Sequence, residues 1–99
     1  MWYNKTMGNL GRVHLIIEGR VQGVFFRAFT QDIALSLGLN GWVRNLPDGT
    51  VEAVFEGERN KIEDAVRRCY KGPPSGMVLN IEETWEDYEG NPDSFQIRY

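Results

Sequence analysis

The spacing of apolar side chains along this chain alternates between the period of a strand and that of a helix, which constrains the fold more than any other feature. Apolar residues recur at every second position from Arg12 to Glu18, which predicts a first strand. They then recur at spacings of three and four, which predicts a helix over about Arg27 to Leu37. The apolar stripe of this helix comprises Phe26, Phe29, Ile33 and Leu37. Gly38 follows the stripe and is expected to end the helix in the left-handed conformation.

The middle of the chain predicts a hairpin followed by a second helix. Two runs rich in Trp, Val and Phe, Leu39 to Leu46 and Thr50 to Glu56, flank the turn sequence Pro47-Asp48-Gly49, which is a strong hairpin signal. Asn60 and Glu63 have the spacing of a capping box, which predicts that the second helix begins there. Its apolar stripe comprises Ile62, Ala65, Val66 and Cys69.

The remainder of the chain predicts two further strands. Gly72-Pro73-Pro74 ends the second helix, the residues from Met77 to Trp85 predict a fourth strand, and alternation from Phe95 to Tyr99 predicts a short terminal one. The order β-α-β-β-α-β, with a short extra C-terminal strand, favours a ferredoxin-like α+β sandwich in which two helices cover one face of an antiparallel sheet. We expect residues 11–99 to form this domain and residues 1–10 to be a partly disordered N-terminal arm.

Composition and charge narrow the classes of function. The 99 residues fit one domain. A net charge of -3 and a pI of about 5.1 argue against a general nucleic-acid-binding surface. The single cysteine, Cys69, cannot form an intramolecular disulfide, which suits a reducing compartment. No apolar run approaches the roughly 20 residues that span a bilayer. We therefore expect a cytoplasmic protein with neither a nucleic acid nor a membrane as partner.

The segment from Gly19 to Arg27 links the first strand to the first helix and is suited to bind an anion. The first N–H groups of a helix are free, and the helix dipole adds a partial positive charge there. Gly19 and Gly23 let the loop turn tightly, and Arg27 supplies a planar cation that matches phosphate oxygens. Alternatively, the glycines serve only the turn and Arg27 is a solvated residue. A cation in the first helical turn opposes the dipole, however, which favours the anion site.

Two longer motifs give the chain a close resemblance to the acylphosphatase family. The signature G-x-V-Q-G-V-x-F-R is complete from Gly19 to Arg27, and G-W-V-x-N-x-x-D-G-x-V-E is complete from Gly41 to Glu52. The pair Gly72-Pro73 and the terminal F-x-I-x-Y from Phe95 to Tyr99 are also typical of the family. The resemblance extends from about Arg12 to the end of the chain.

The resemblance implies a hydrolase that cleaves the carboxyl-phosphate bond of small acyl phosphates without a metal or an organic cofactor. It implies that Arg27 binds the phosphoryl group and that Asn45 positions the attacking water. The main-chain N–H groups that it assigns to phosphate binding are those of Gly19, Arg20, Val21, Gln22, Gly23 and Val24. We expect a monomer whose partners are the acyl phosphate substrate and the inorganic phosphate product.

Other chemically capable residues have simpler structural interpretations. His14 is the only histidine, so a metal cluster or a Ser-His-Asp relay lacks parts, and we expect it to be partly exposed on a strand. Cys69 is expected to be a small core residue. Asn45, taken without the resemblance, is a common residue before a turn. The acidic residues expected to form a solvated strand end are Glu82, Glu83, Glu86, Asp87 and Glu89.

A ferredoxin-like fold hosts several functions, so two alternatives accompany the enzyme hypothesis. A single-stranded RNA binder would need the aromatic and basic RRM pattern, which this sequence lacks. An acylphosphatase-like module of a larger carbamoyl-transfer machine would need further domains, and we expect none in 99 residues. A free-standing enzyme is the simpler hypothesis.

Overall fold

The structure, a computed structural model, describes residues 9–99 and contains two helices and five strands in that range. The elements are β1 (Leu10–Arg20), α1 (Phe26–Ser36), β2 (Asn40–Asn45), β3 (Val51–Glu58), α2 (Arg59–Lys71), β4 (Met77–Glu86) and β5 (Gln96–Ile97). Most of the predicted N-terminal arm lies outside the described residues. Its last residue, Leu10, already belongs to β1.

The sheet has the strand order β4-β1-β3-β2-β5. The four long strands pair antiparallel with their neighbours, and this arrangement confirms the predicted ferredoxin-like sandwich. The terminal strand differs from the expectation, because β5 pairs in parallel with β2 and contains only Gln96 and Ile97. The sheet is therefore mixed. The connection after β4 crosses from one edge of the sheet to the other, where β5 pairs with β2.

One face of the sheet forms the core with the two helices. In β1 the side chains of Val13, Leu15 and Ile17 are fully buried, whereas the residues between them are half-buried on the opposite face. The entire predicted stripe of α2 is buried, including Cys69. Burial raises the pKa of the Cys69 thiol to about 12, although a hydrogen bond involving Thr30 opposes the shift. The thiol is thus a core group, as predicted.

The ends of the helices show where local sequence signals hold and where they fail. Gly38 follows α1 with a φ of +68°, as predicted. The capping box predicted at Asn60 is wrong, because α2 begins at Arg59 and its N-cap is Glu58, two residues before Asn60, and Glu58 makes no side-chain capping bond. Instead, the N–H of Arg59 donates to the carbonyl of Asn9 at 2.6 Å. Because β3 passes directly into α2, Glu58 is both the last residue of β3 and the N-cap of α2.

The open face of the sheet carries one deeply buried carboxylate, Glu56, whose side chain is 1% exposed. It accepts hydrogen bonds from the backbone N–H groups of Glu89, Gly90 and Asn91 at 2.5, 3.2 and 3.0 Å. The guanidinium of Arg12 lies 3.6 Å from it. These contacts compensate for the burial of the carboxylate, and they hold the connection between β4 and β5 against the middle of the sheet.

A second carboxylate on this face, Glu52, joins two neighbouring strands to β3. Its two oxygens lie 2.6 Å from Nε2 of His14 and 2.6 Å from Nε of Arg44. Burial opposes ionisation of Glu52, but the hydrogen bonds and charges of these two partners outweigh it, and the pKa of Glu52 is lowered below its ordinary value of 4.5. His14 is half-buried on its strand and belongs to this polar cluster.

Because the folded state lowers the pKa of Glu52, the carboxylate stabilises the fold above its ordinary pKa of 4.5, and that contribution is lost as the pH falls through the lower folded value. Glu52→Gln should therefore destabilise the protein at pH 7, and the difference from the wild type should shrink in acid. Urea unfolding midpoints between pH 7 and pH 3 measure this, with Glu82→Gln as the control for the loss of one negative charge. A difference that stays constant down to pH 3 would contradict the assignment.

Candidate active site

The end of β1, which leads into the loop before α1, lies in close contact with β4. The register between these strands shifts between Glu18 and Gly19, and Gly19 has a φ of +130°. A Cβ atom at Gly19 would collide with the backbone carbonyl of Met77. A residue without a side chain is therefore required at Gly19, one residue before β1 ends.

The first turn of α1 is open to an anion. The N-cap, Phe25, has a left-handed φ of +63° and makes no side-chain capping bond. The first helical hydrogen bond runs from the N–H of Phe29 to the carbonyl of Phe25 at 3.0 Å, so the three preceding N–H groups have no partner within the helix. No acidic residue occupies this turn. The partial positive charge of the helix end is thus available to a bound anion.

The loop has left-handed backbone at two positions, Gly23 and Phe25, and left-handed residues are one feature of anion-binding nests. Gly23 has a φ of +75° and open space around it, while Phe25 adopts a comparable angle despite its bulky side chain. Such a conformation is uncommon for a non-glycine residue and costs about 1 to 3 kcal/mol. Nests of this kind turn successive N–H groups toward one point.

A pocket of about 330 Å³ opens at this helix end, and it brings Arg27 and Asn45 together. Arg27 lies in the first turn of α1, and Asn45 is the last residue of β2, where it pairs with Val51. Because the turn begins after Asn45, this side chain belongs to a strand and not to the turn itself. The residues that line the pocket are Val21, Gly23, Phe25, Phe26, Arg27, Ala28, Asn45, Ile97 and Tyr99.

Four of the predicted phosphate-binding residues lie in the same segment without lining the pocket. Gly19 and Arg20 are still in β1. Val24 is 8% exposed and packs into the core. Gln22 turns its side chain toward the β2–β3 turn, where Nε2 donates to the carbonyls of Leu46 at 2.7 Å and Thr50 at 2.9 Å. The structure therefore separates residues that contact the pocket from residues that shape its loop.

The pocket has apolar walls to which the sequence analysis assigned no role. Phe25 is 82% exposed beside Arg27, and the C-terminal Tyr99 is 98% exposed. The guanidinium carbon of Arg27 lies 4.8 Å from the centre of the Tyr99 ring. Ile97 reaches the pocket because β5 lies beside β2. The terminal F-x-I-x-Y pattern was a signal for this wall, but nothing local in the sequence indicated the left-handed Phe25.

The residues set aside in the sequence analysis lie outside this pocket. Between residues 9 and 99, no three His, Cys, Asp or Glu side chains form a group that could hold a metal ion. The acidic residues of β4 and the segment after it are exposed at a sheet edge, as expected for a solvated strand end. Over the same described range, no helix is long and apolar enough to cross a membrane.

The family, sequence and structural comparisons all include acylphosphatases. Residues 13–97 match the family model described as Acylphosphatase. An acylphosphatase of Pelotomaculum thermopropionicum is 50% identical over 88 residues, which cover 89% of this chain and 96% of the relative. The solved acylphosphatase of Coxiella burnetii is 37% identical with a TM-score of 0.88, covering 96% of this chain and 99% of its own. That of Bacillus subtilis is 38% identical with a TM-score of 0.86, covering 91% and 99%.

The left-handed backbone at Gly23 generates a prediction that separates anion binding from general stability. An alanine at Gly23 meets no neighbouring atom but disfavours the observed φ, so Gly23→Ala should cost about 1 kcal/mol of folding free energy. Because the strain also depopulates the binding conformation of the loop, affinity for inorganic phosphate should fall about fivefold. Titration calorimetry and urea unfolding measure the two effects.

The matched control is Gly38→Ala, since Gly38 has a φ of +68° and equally open surroundings but lies at the far end of α1. It should lose a similar amount of stability and keep its phosphate affinity. Equal loss of phosphate affinity in the two variants would show that the loop conformation at Gly23 has no special part in anion binding.

Proposed function

The chain belongs to the acylphosphatase family of enzymes, which hydrolyse acyl phosphates, and we propose that Arg27 binds the phosphoryl group while Asn45 positions the attacking water. The observation that carries this proposal is their presence in one pocket at the uncapped N-terminus of α1. The substrates are small acyl phosphates, and the products are a carboxylate and inorganic phosphate.

Phosphate binding is supported by two sources of positive charge that converge on the pocket. The guanidinium of Arg27 offers paired N–H donors that match two phosphoryl oxygens. The main-chain N–H groups of the loop and first helical turn add neutral donors and the helix dipole. As the phosphoryl group transfers, negative charge on its equatorial oxygens meets donors that are already oriented, which lowers the barrier.

The water is proposed to lie between the phosphoryl group and the Asn45 amide. That amide both donates and accepts hydrogen bonds, so it orients a water molecule without deprotonating it. The water oxygen forms the new bond to phosphorus, and the bond from phosphorus to the carboxylate oxygen breaks with its electron pair on the carboxylate. The water proton passes to a phosphate oxygen. Alignment suffices because a carboxylate is a good leaving group.

We propose further that the reaction needs no metal and that the enzyme acts as a cytoplasmic monomer. Arg27 and the loop N–H groups supply the positive charge that a cation would otherwise bring to the phosphoryl group. The buried free thiol of Cys69 suits a reducing compartment.

Arg27→Gln should lower the rate of benzoyl phosphate hydrolysis at least about 100-fold, because the phosphoryl oxygens lose their charged, bidentate partner. Arg27→Lys should restore little of the activity, since an ammonium group cannot form the two parallel bonds. The assay follows benzoyl phosphate absorbance in EDTA. The control is Arg67→Gln, which removes an exposed arginine from α2, outside the pocket.

Rapid turnover in EDTA that is lost in Arg27→Gln and retained in Arg67→Gln supports the proposal. A fully active Arg27→Lys variant would contradict the bidentate role. A folded wild-type protein that hydrolyses benzoyl phosphate only after a divalent cation is added would contradict metal independence.

Asn45→Ala should lower kcat by about 100-fold while leaving the inhibition constant of inorganic phosphate within about threefold of the wild type. The amide is proposed to align water and not to hold the phosphate, so kcat and phosphate affinity should separate. Steady-state kinetics with phosphate as a competitive inhibitor test this. Parallel loss of kcat and phosphate affinity would make Asn45 a binding residue.

A further inference from the structure

We propose that Gln22 is a positioning residue. Its side-chain amide holds Asn45 at the distance from the phosphate-binding loop that the reaction requires. The inference rests on the proposed role of Asn45. It concerns the side chain of Gln22, whereas the resemblance to the family implied only a role for its main-chain N–H.

The topology separates the two halves of the site. The loop that binds the phosphate follows β1, Asn45 ends β2, and β3 lies between these strands in the sheet. Val51 at the start of β3 pairs with Ile17 on one side and with Asn45 on the other. Two strand spacings amount to about 10 Å, so no ladder hydrogen bond sets the distance from the loop to Asn45 directly.

Gln22 closes this gap. Its Nε2 donates one hydrogen bond to the carbonyl of Leu46, the residue directly after Asn45, and another to the carbonyl of Thr50. The Leu46 N–H also donates to the Thr50 carbonyl at 2.9 Å, so the amide joins both ends of the turn at its closing pair. Among the hydrogen bonds within residues 9–99, these two alone connect the 21–25 loop with the β2–β3 turn.

The chemistry of the contact demands a double donor. Both partners are carbonyl oxygens, which only accept, and a carboxamide nitrogen supplies two N–H groups at a fixed angle. Gln22 is half-buried, so water replaces these bonds poorly. Methionine has a similar length and no donor, while an ionised glutamate has the same shape and would repel both carbonyls.

A small misplacement of a water-orienting group affects the transition state more than ground-state phosphate binding. Loss of the Gln22 donor should therefore lower kcat by about 10- to 100-fold, since a shift of about 1 Å can cost about 100-fold. The inhibition constant of inorganic phosphate should change by less than about threefold, because Arg27 and the loop N–H groups remain. A residue that only supported the fold would not separate these two quantities.

The test is a double-mutant cycle with Gln22→Met and Asn45→Ala in the full chain, measured with benzoyl phosphate. Gln22→Glu, assayed at neutral pH where the glutamate is ionised, is a second substitution that removes the donor and keeps the length of the side chain. The thermal midpoint is recorded with and without inorganic phosphate, because ligand-dependent stabilisation reports both a folded chain and an intact anion site. Gln22→Met should lower kcat in the wild-type background and change it by less than about twofold when Asn45 is already alanine.

Several outcomes overturn the inference. One is an undiminished kcat in Gln22→Met, and another is a kcat loss of the same size in the presence and absence of Asn45. A third is a Gln22→Met protein whose phosphate affinity falls as much as its kcat. An Asn45→Ala protein with full kcat would first refute the proposed function of Asn45, and it would remove the route through which Gln22 is inferred to act.

Discussion

A buried carboxylate holds the C-terminal part of this chain on its sheet. Glu56 is satisfied by three N–H groups of the segment after β4 and by Arg12, and a buried charge that loses such partners costs about 3 to 5 kcal/mol. Asn40 adds a hydrogen bond to the carbonyl of Asn91 at 2.7 Å. The segment held in this way leads to β5 and then to Tyr99 beside Arg27. One wall of the pocket therefore depends on a contact on the opposite face of the sheet.

Several local features of the pocket reduce the stability of the loop and of the first turn of α1. A left-handed Phe25, an uncapped helix end and a cation in the first helical turn are each unfavourable for an isolated helix. Burial of Val21, Val24 and Phe26 around the same loop offsets these costs. An anion bound at the helix end would relieve the electrostatic part of this strain. The strain is consistent with a loop shaped for a ligand, since no packing requirement explains an exposed phenylalanine in this conformation.

Sequence patterns predicted most of the fold because most of the buried apolar side chains lie on the one face of the sheet that the helices cover. The period of two in β1 and the stripe of α2 correspond directly to side chains that meet in the core. The capping box predicted at Asn60 was wrong because the chain passes from β3 into α2 without a loop. The point at which a strand gives way to a helix depends on how the two pack together, which a local motif does not encode. Arg27 and Asn45 were identified through family motifs, and the structure brings them to one pocket. The direction of β5 and the two bonds of Gln22 depend on contacts between distant segments, which periodicity does not encode.

The burial of Cys69 has a practical consequence for following the unfolding of this protein. The thiol is fully buried in α2, and burial raises its pKa to about 12, so the native state presents almost no thiolate to a reagent in neutral solution. A disulfide reagent gains access only when α2 separates from the sheet. Because α2 packs on the central strands, that opening is close to global unfolding. The rate of thiol labelling therefore reports how often the whole domain unfolds under native conditions.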